Sequence, residues 1–160
     1  MNNIPVKIKV ETGGLIPEYK TDGAGCFDLF SPDDYVWETV AIGGGLVKAT
    51  CVIDLKVKFE VPDGYIMNIY PRSGWGFKMD IQLANGTGKI DSDYRGNVAV
   101  KLITYIERDR LPDLRRGVGI AQAEIMPVYR AEFEVVDDLS ETNRGEGGFG
   151  STGHHREHKE

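Results

Sequence analysis

The chain has 160 residues, 41% of them apolar, with 19 Lys+Arg against 25 Asp+Glu and a formal net charge of -6. That length predicts one domain, or one domain with a tail, large enough to form a core without disulfides or structural metal. The acidic balance argues against a protein that binds nucleic acid stably through its charge, and two cysteines, Cys26 and Cys51, exclude a disulfide-rich scaffold and a four-thiolate zinc site.

Twenty glycines and seven prolines divide the chain at short intervals, and the segments between them are rich in Val, Ile, Thr, Tyr and Phe, the pattern of an all-β fold. Residues 6–10, Val-Lys-Ile-Lys-Val, alternate apolar and polar and predict a half-buried strand. Residues 52–61 predict a second, with apolar side chains at every other position from Ile53. Further strands are expected at 65–70, 98–105, 120–128 and 131–136. Residues 73–78 predict one helical turn with Ser73 as its N-cap, and 105–115 a loop or frayed helix. Beyond Val136 the only large apolar residues are Leu139 and Phe149, so a β domain over 1–136 and a flexible arm over 137–160 are expected. Short strands joined by turns predict a jelly-roll-like domain. No signal-peptide core and no 18-residue apolar run occurs, which predicts a soluble, cytoplasmic protein with no membrane partner.

Several short motifs fail on their chemistry. His154-His155-Arg156-Glu157-His158 matches a zinc pattern that needs a buried helix face, but it lies in a polar terminus. The run 91–96 begins like a calcium loop, yet its fifth position is Arg95 and its twelfth is Leu102, where a bidentate Glu is required. Gly88-Lys89 is followed by Ile90 where a P-loop needs Ser or Thr.

Four clusters combine reactive groups with backbone freedom. Residues 23–29, Gly-Ala-Gly-Cys-Phe-Asp-Leu, bring Asp28 in among small residues. Residues 71–74, Pro-Arg-Ser-Gly, place a guanidinium and a hydroxyl at a helix start suited to phosphate. Residues 85–96 open with Asn-Gly, a hairpin signal, and carry Asp91, Asp93 and Tyr94; strand alternation would put both aspartates on one face and Ile90 on the other. A carboxylate at such a hairpin can orient and deprotonate water. The fourth cluster, 144–153, sets Arg144, Phe149, Ser151 and Thr152 among glycines, a segment that a ligand could order by stacking on the ring and pairing with the guanidinium.

In this order the clusters resemble the five motifs of the trimeric dUTPases, the deoxyuridine triphosphate nucleotidohydrolases, with residues 119–122 and Pro127 resembling the fourth. The resemblance covers residues 21–153. It implies an all-β jelly-roll fold and hydrolysis of dUTP to dUMP and pyrophosphate with Mg²⁺, which limits uracil in DNA and supplies dUMP for thymidylate synthesis. It further implies that Asp91 is the general base and that Asn85, Gly88 and Ile90 line the uracil site. Tyr94 would exclude a 2′-hydroxyl, and Arg72, Ser73, Gly74 and Gln122 would surround the phosphates. Asp28 would hold the metal through water. Arg144 would reach the γ-phosphate, while Phe149, Gly150, Ser151 and Thr152 close the site, in a homotrimer whose C-terminal arm covers a neighbouring subunit's site. Two other readings stay open: a nucleotide-controlled interaction protein using the same pocket, and the related deamination of dCTP. In the fourth motif the acidic residue that often supports the arginine of the second is absent, so Arg72 is expected to pair elsewhere or to stay solvated.

Overall fold

The computed structural model describes residues 3–148, and the chain divides into two compact units, 1–129 and 130–160. The first unit is built from ten strands and one short helix. Its strands are β1 (Lys7–Val10), β2 (Phe27–Phe30), β3 (Glu38–Gly43), β4 (Leu46–Asp54), β5 (Val57–Glu60), β6 (Tyr65–Tyr70), β7 (Gln82–Leu83), β8 (Gly88–Ile90), β9 (Ala99–Glu107) and β10 (Gly119–Pro127). The helix α1 (Ser73–Met79) follows β6. All pairings are antiparallel and form a two-stranded ribbon β1-β5 and two four-stranded sheets, β2-β10-β6-β8 and β3-β4-β9-β7. This is the all-β jelly-roll expected from the sequence.

Alternation explains the core. In β4 the inward residues are Val47, Ala49, Cys51 and Ile53, and in β9 they are Val100, Leu102, Thr104 and Ile106, while the residues between them, among them Lys48, Val52, Lys101 and Tyr105, face outward. The expected strand over 52–61 is interrupted: β4 ends at Asp54, Lys56 takes a left-handed φ of 56°, and β5 starts at Val57. The alternation nevertheless survives the break, so that Ile53, Leu55, Val57, Phe59 and Val61 are all buried. The Asp54 carboxylate accepts the Lys56 amide at 2.8 Å, which supports the unusual turn.

Four other expectations are corrected. β1 is exposed on both faces rather than half-buried, because its only ladder partner is β5 and the residues of its expected inner face, such as Ile8, border an open groove. Residues 131–136 form no strand, since alternation supplies a face but not a ladder partner, and Phe133 and Val135 are exposed. Ser73 is the first residue of α1, not its cap: Arg72, in extended conformation at φ −75° and ψ 135°, occupies the cap position with no side-chain hydrogen bond. Residues 105–115 begin as the end of β9 and continue as a single 3₁₀ turn at Arg108–Arg110.

Candidate active site

Two of the sequence clusters, 23–29 and 71–74, converge with residues 119–122 at one end of the β2-β10-β6-β8 sheet. The register pairs Asp28 of β2 with Gln122 of β10, and Gln122 with Tyr70 of β6, so these three form one cross-strand row. Two residues beyond Tyr70, Arg72 turns its guanidinium back over the row. Its Nη2 lies 3.2 Å from Asp28 Oδ2, and its Nη1 donates to the Gly119 carbonyl at 3.2 Å. Gln122 Nε2 donates to the Pro71 carbonyl at 3.0 Å, fastening the segment from the other side. Arg72 therefore finds its acid within the first cluster, which resolves the partner missing from the fourth.

Asp28 is buried, and its Oδ2 receives no aligned hydrogen bond although the Arg72 charge stands beside it. A buried carboxylate oxygen with charge compensation but an unfilled lone pair is prepared to accept from one further donor. Ser73 and Gly74 occupy the first two positions of α1, whose amides have no acceptor within a helix, and both residues are exposed. The row is thus a cationic, donor-rich corner with one acidic oxygen at its floor.

Gly119 is a site residue that the sequence reading placed in a motif without giving it a role. A Cβ there would lie 2.6 Å from Arg72 Nη1 and 3.1 Å from its Cζ, so the guanidinium can lie across β10 only over a glycine. No local signal reveals this, because the crowding comes from a residue 47 positions away.

The third cluster lies elsewhere. Residues 84–87 turn the chain from β7 into β8, with Gly86 at φ 73° as the turn demands, and β8 pairs with the outer edge of β6. Under this hairpin is a cavity of about 110 Å³ lined by Asn85, Gly88, Ile90, Ile69 and Leu83 among others. Gly88 is packed against Ile69, where an added Cβ would stand 3.1 Å from the Ile69 Cβ. Strand alternation stops at Ile90, contrary to the expectation that it extends through Asp93. The Tyr94 amide closes a turn onto the Asp91 carbonyl at 3.2 Å, and Arg95 Nη1 donates to the Ser92 and Tyr94 carbonyls at 2.6 and 3.0 Å. Asp91 is exposed just beyond the cavity.

Register gives the separation of the two regions. Ile90 stands opposite Met67, five residues before Arg72, and Asp91 lies beyond Ile90, whereas Gly88 stands opposite Ile69, next to Tyr70; at about 3.3 Å per residue Asp91 is set off from Arg72 by more than ~16 Å along the strand direction, and the Gly88 end of the hairpin by less. One chain therefore gathers Asp28, Arg72, Ser73, Gly74 and Gln122 at one place, and Asn85, Gly88, Ile90, Asp91 and Tyr94 at another. Arg144 belongs to the second unit, where it is exposed and its Nε donates to the Gly147 carbonyl at 2.6 Å. Phe149, Gly150, Ser151 and Thr152 lie outside the described residues.

Both cysteine thiols are held above their ordinary range. Cys51 faces the core opposite Leu102, and burial pushes its thiol above the ordinary range. Cys26, partly exposed before β2, is raised likewise by burial and then by the Glu124 and Asp28 charges. A larger groove of about 700 Å³, lined by Ile4, Val6, Ile8, Tyr19, Phe27 and Phe59 among others, contains none of the expected site residues.

A family model described as dUTPase matches residues 13–153. The chain belongs to the dUTPase family. Among its relatives is a protein of Nautilia profundicola named deoxyuridine 5'-triphosphate nucleotidohydrolase, 43% identical over 148 residues, which span 91% of this chain and 95% of that one. The Staphylococcus bacteriophage 80alpha dUTPase with dUpNHpp has a similar structure, with a TM-score of 0.75 and 25% identity over 94% of this chain and 99% of the phage chain. A mutant dUTPase from phage phi11 of S. aureus, described with a coordinated structural Mg(II) ion, shares the fold at a TM-score of 0.68 and 20% identity, covering 85% of this chain and 99% of the phage one. Like other dUTPases, this chain is an enzyme. No helix among the described residues is long and apolar enough to cross a membrane.

Proposed function

We propose that this dUTPase hydrolyses dUTP to dUMP and pyrophosphate, in sites completed between copies of the chain in a homotrimer. The observation that carries this reading is the separation within one chain of a cationic, donor-rich corner from the Asp91 carboxylate that borders a base-sized cavity. Each half supplies what the other lacks, and a second copy of the chain is the simplest source of the missing half.

The cavity beneath the hairpin takes the uracil ring. Asn85 and the main chain of Gly88 and Ile90 read its polar edge, and the closeness of Ile69 leaves little room for a 5-methyl group. Tyr94 lies against the deoxyribose where a 2′-hydroxyl would project. Asp91, exposed at the cavity's border, orients a water in line with the α-phosphorus and takes its proton as the new P–O bond forms. The bond between the α-phosphorus and the bridging oxygen breaks, and pyrophosphate leaves. Arg72, the first amides of α1 at Ser73 and Gly74, and Gln122 hold the phosphate chain of the substrate bound between copies. Arg144 supplies a further cation to the γ-phosphate, and Phe149, Gly150, Ser151 and Thr152 close over base and sugar.

Among the described residues no group of three or more His, Cys, Asp or Glu side chains converges as an all-protein metal cage. What the chain offers instead is the unfilled Oδ2 of Asp28 beside the phosphate-binding corner. That donor fits a Mg²⁺ held through water, with the triphosphate contributing most of the oxygen ligands. When bound, the ion would neutralise phosphate charge and favour departure of pyrophosphate.

Pyrophosphate release from dUTP in the presence of Mg²⁺ tests the reading. Asp91→Asn is expected to lower kcat by about 10²–10⁴-fold, the usual contribution of a general base, with little change in KM. An unaltered rate in that variant would overturn the assignment. The product dUMP is a precursor for thymidylate synthesis, and removal of dUTP limits uracil incorporation into DNA.

A further inference from the structure

We infer that Gly96 and Asn97 are positioning residues that hold the Tyr94 ring in place and so set the enzyme's discrimination between deoxyribose and ribose. The inference rests on the sugar-facing role of Tyr94 proposed above and extends it to two residues that would not touch the substrate.

The ring of Tyr94 is held by two contacts from within its own loop. Its hydroxyl donates to the Asn97 carbonyl at 2.9 Å. The hydroxyl end of the ring lies over Gly96, where an added Cβ would stand 2.6 Å from the ring's Cζ and closer still to the hydroxyl oxygen. Gly96 has no left-handed φ that would demand glycine for backbone reasons. The space taken by the ring is what demands it. Tyr94 is nonetheless exposed, so no core packing holds it, and these two local contacts fix its position.

The tether holds only if Asn97 is itself immobile. Its Nδ2 donates to Glu11 Oε2 and to Asp54 Oδ2, both at 3.1 Å. Both carboxylates are anchored. Glu11 follows β1, its amide donates to the Lys56 carbonyl at 2.9 Å, and its Oε1 pairs with Lys58 at 3.0 Å. Asp54 ends β4 and accepts the Lys56 amide. The side-chain amide has only one tolerable orientation: turned over, it would set its Oδ1 against two carboxylates. In the observed orientation Oδ1 is buried with no hydrogen-bond partner among the described residues. An unfilled buried acceptor is destabilising, which marks the doubly donating Nδ2 as the interaction being kept. Asn97 thus ties the substrate-side loop to the ends of two strands, β1 and β4.

The test measures kcat/KM for dUTP and for UTP, whose ratio reports on the sugar and is insensitive to a uniform loss of folded enzyme. Gly96→Ala should displace the ring and lower the dUTP/UTP ratio at least about tenfold, chiefly by raising kcat/KM for UTP. Asn97→Ala should do the same by releasing the tether. Tyr94→Phe keeps the ring and deletes only the hydroxyl, so it reads the tether in a variant whose backbone and strand anchors are untouched. Its ratio should fall by a smaller factor, about threefold. Wild-type ratios in Gly96→Ala and Asn97→Ala, with Tyr94→Ala showing a lowered ratio, would overturn the positioning role and leave the sugar reading intact. A wild-type ratio in Tyr94→Ala would overturn both. If Asn97→Ala does not fold, Gly96→Ala and Tyr94→Phe decide the matter, and unchanged ratios in those two overturn the proposal.

Discussion

Arg72 is a cation whose position is set by one absence and one charge. Its guanidinium crosses β10 at Gly119, where no Cβ intervenes, and stands beside the buried carboxylate of Asp28. A methyl group at 119 would meet the guanidinium rather than backbone, so the arginine can move away and the strand remain in place. Gly119→Ala is therefore expected to raise KM for the nucleotide several-fold while shifting the thermal midpoint little, as steady-state kinetics and thermal denaturation would show. Removing Asp28 would act differently, because it would leave the arginine without its compensating charge. Cys51 illustrates the opposite case. It carries a potentially reactive thiol, yet it points into the core, where it packs as a small apolar side chain.

Among the elements, the β1-β5 ribbon depends most on solution conditions. It has no third strand, and like charges face each other at Lys9 and Lys58. Lys7 pairs with Glu60 at 2.7 Å and Lys58 with Glu11 at 3.0 Å. The hydrogen bond from Lys58, followed by that from Asn97, holds the Glu11 carboxyl below its ordinary range, and the hydrogen bond from Lys7 does the same for Glu60. Because both values are lowered in the folded state, their contribution is complete above the ordinary carboxylate value of about 4.3 and is lost as pH falls through the folded-state values. A Glu11→Gln, Glu60→Gln double variant should melt below the wild type at neutral pH. The difference should close as pH falls below about 4, as thermal melts across a pH series would register. The Lys7–Glu60 pair is the more exposed of the two, so added salt should also narrow the gap, chiefly through that pair. The same ribbon anchors Asn97 through Glu11, which links its integrity to the loop that carries Tyr94.

At the scale of the whole molecule, one chain holds two separated halves of a candidate site. If each working site joins the Arg72 corner of one copy to the Asp91 hairpin of another, two variants inactive for different reasons should complement each other. Asp91→Asn and Arg72→Ala, each prepared alone, are expected to be nearly inactive. Unfolded together and refolded as a mixture, they should recover a measurable fraction of wild-type turnover, because some mixed assemblies contain sites with both native residues. A mixture no more active than its components would show that the two halves do not meet between copies. Size-exclusion chromatography with light scattering would establish the number of copies independently.

Residue order alone was enough to read the β character of the chain and much of its core. Alternation from Ile53 to Val61 names the buried side chains correctly even across the turn at Lys56, since a residue's face depends on parity along an extended chain. The ordered clusters likewise marked Asp28, Arg72 and the 85–96 hairpin, because glycine and reactive groups in short spans leave a local signature, whereas Gln122 was marked only by the family resemblance. Three things were decided only in three dimensions. Residues 131–136 alternate like a strand and form none, since alternation cannot provide a ladder partner. Arg72 found its acid far upstream in Asp28, and Gly119 its purpose beneath Arg72. The two halves of the site came to lie on opposite edges of β6, because the placing of β8 and β10 against that strand is set by pairing across the sheet, which no local stretch of sequence specifies.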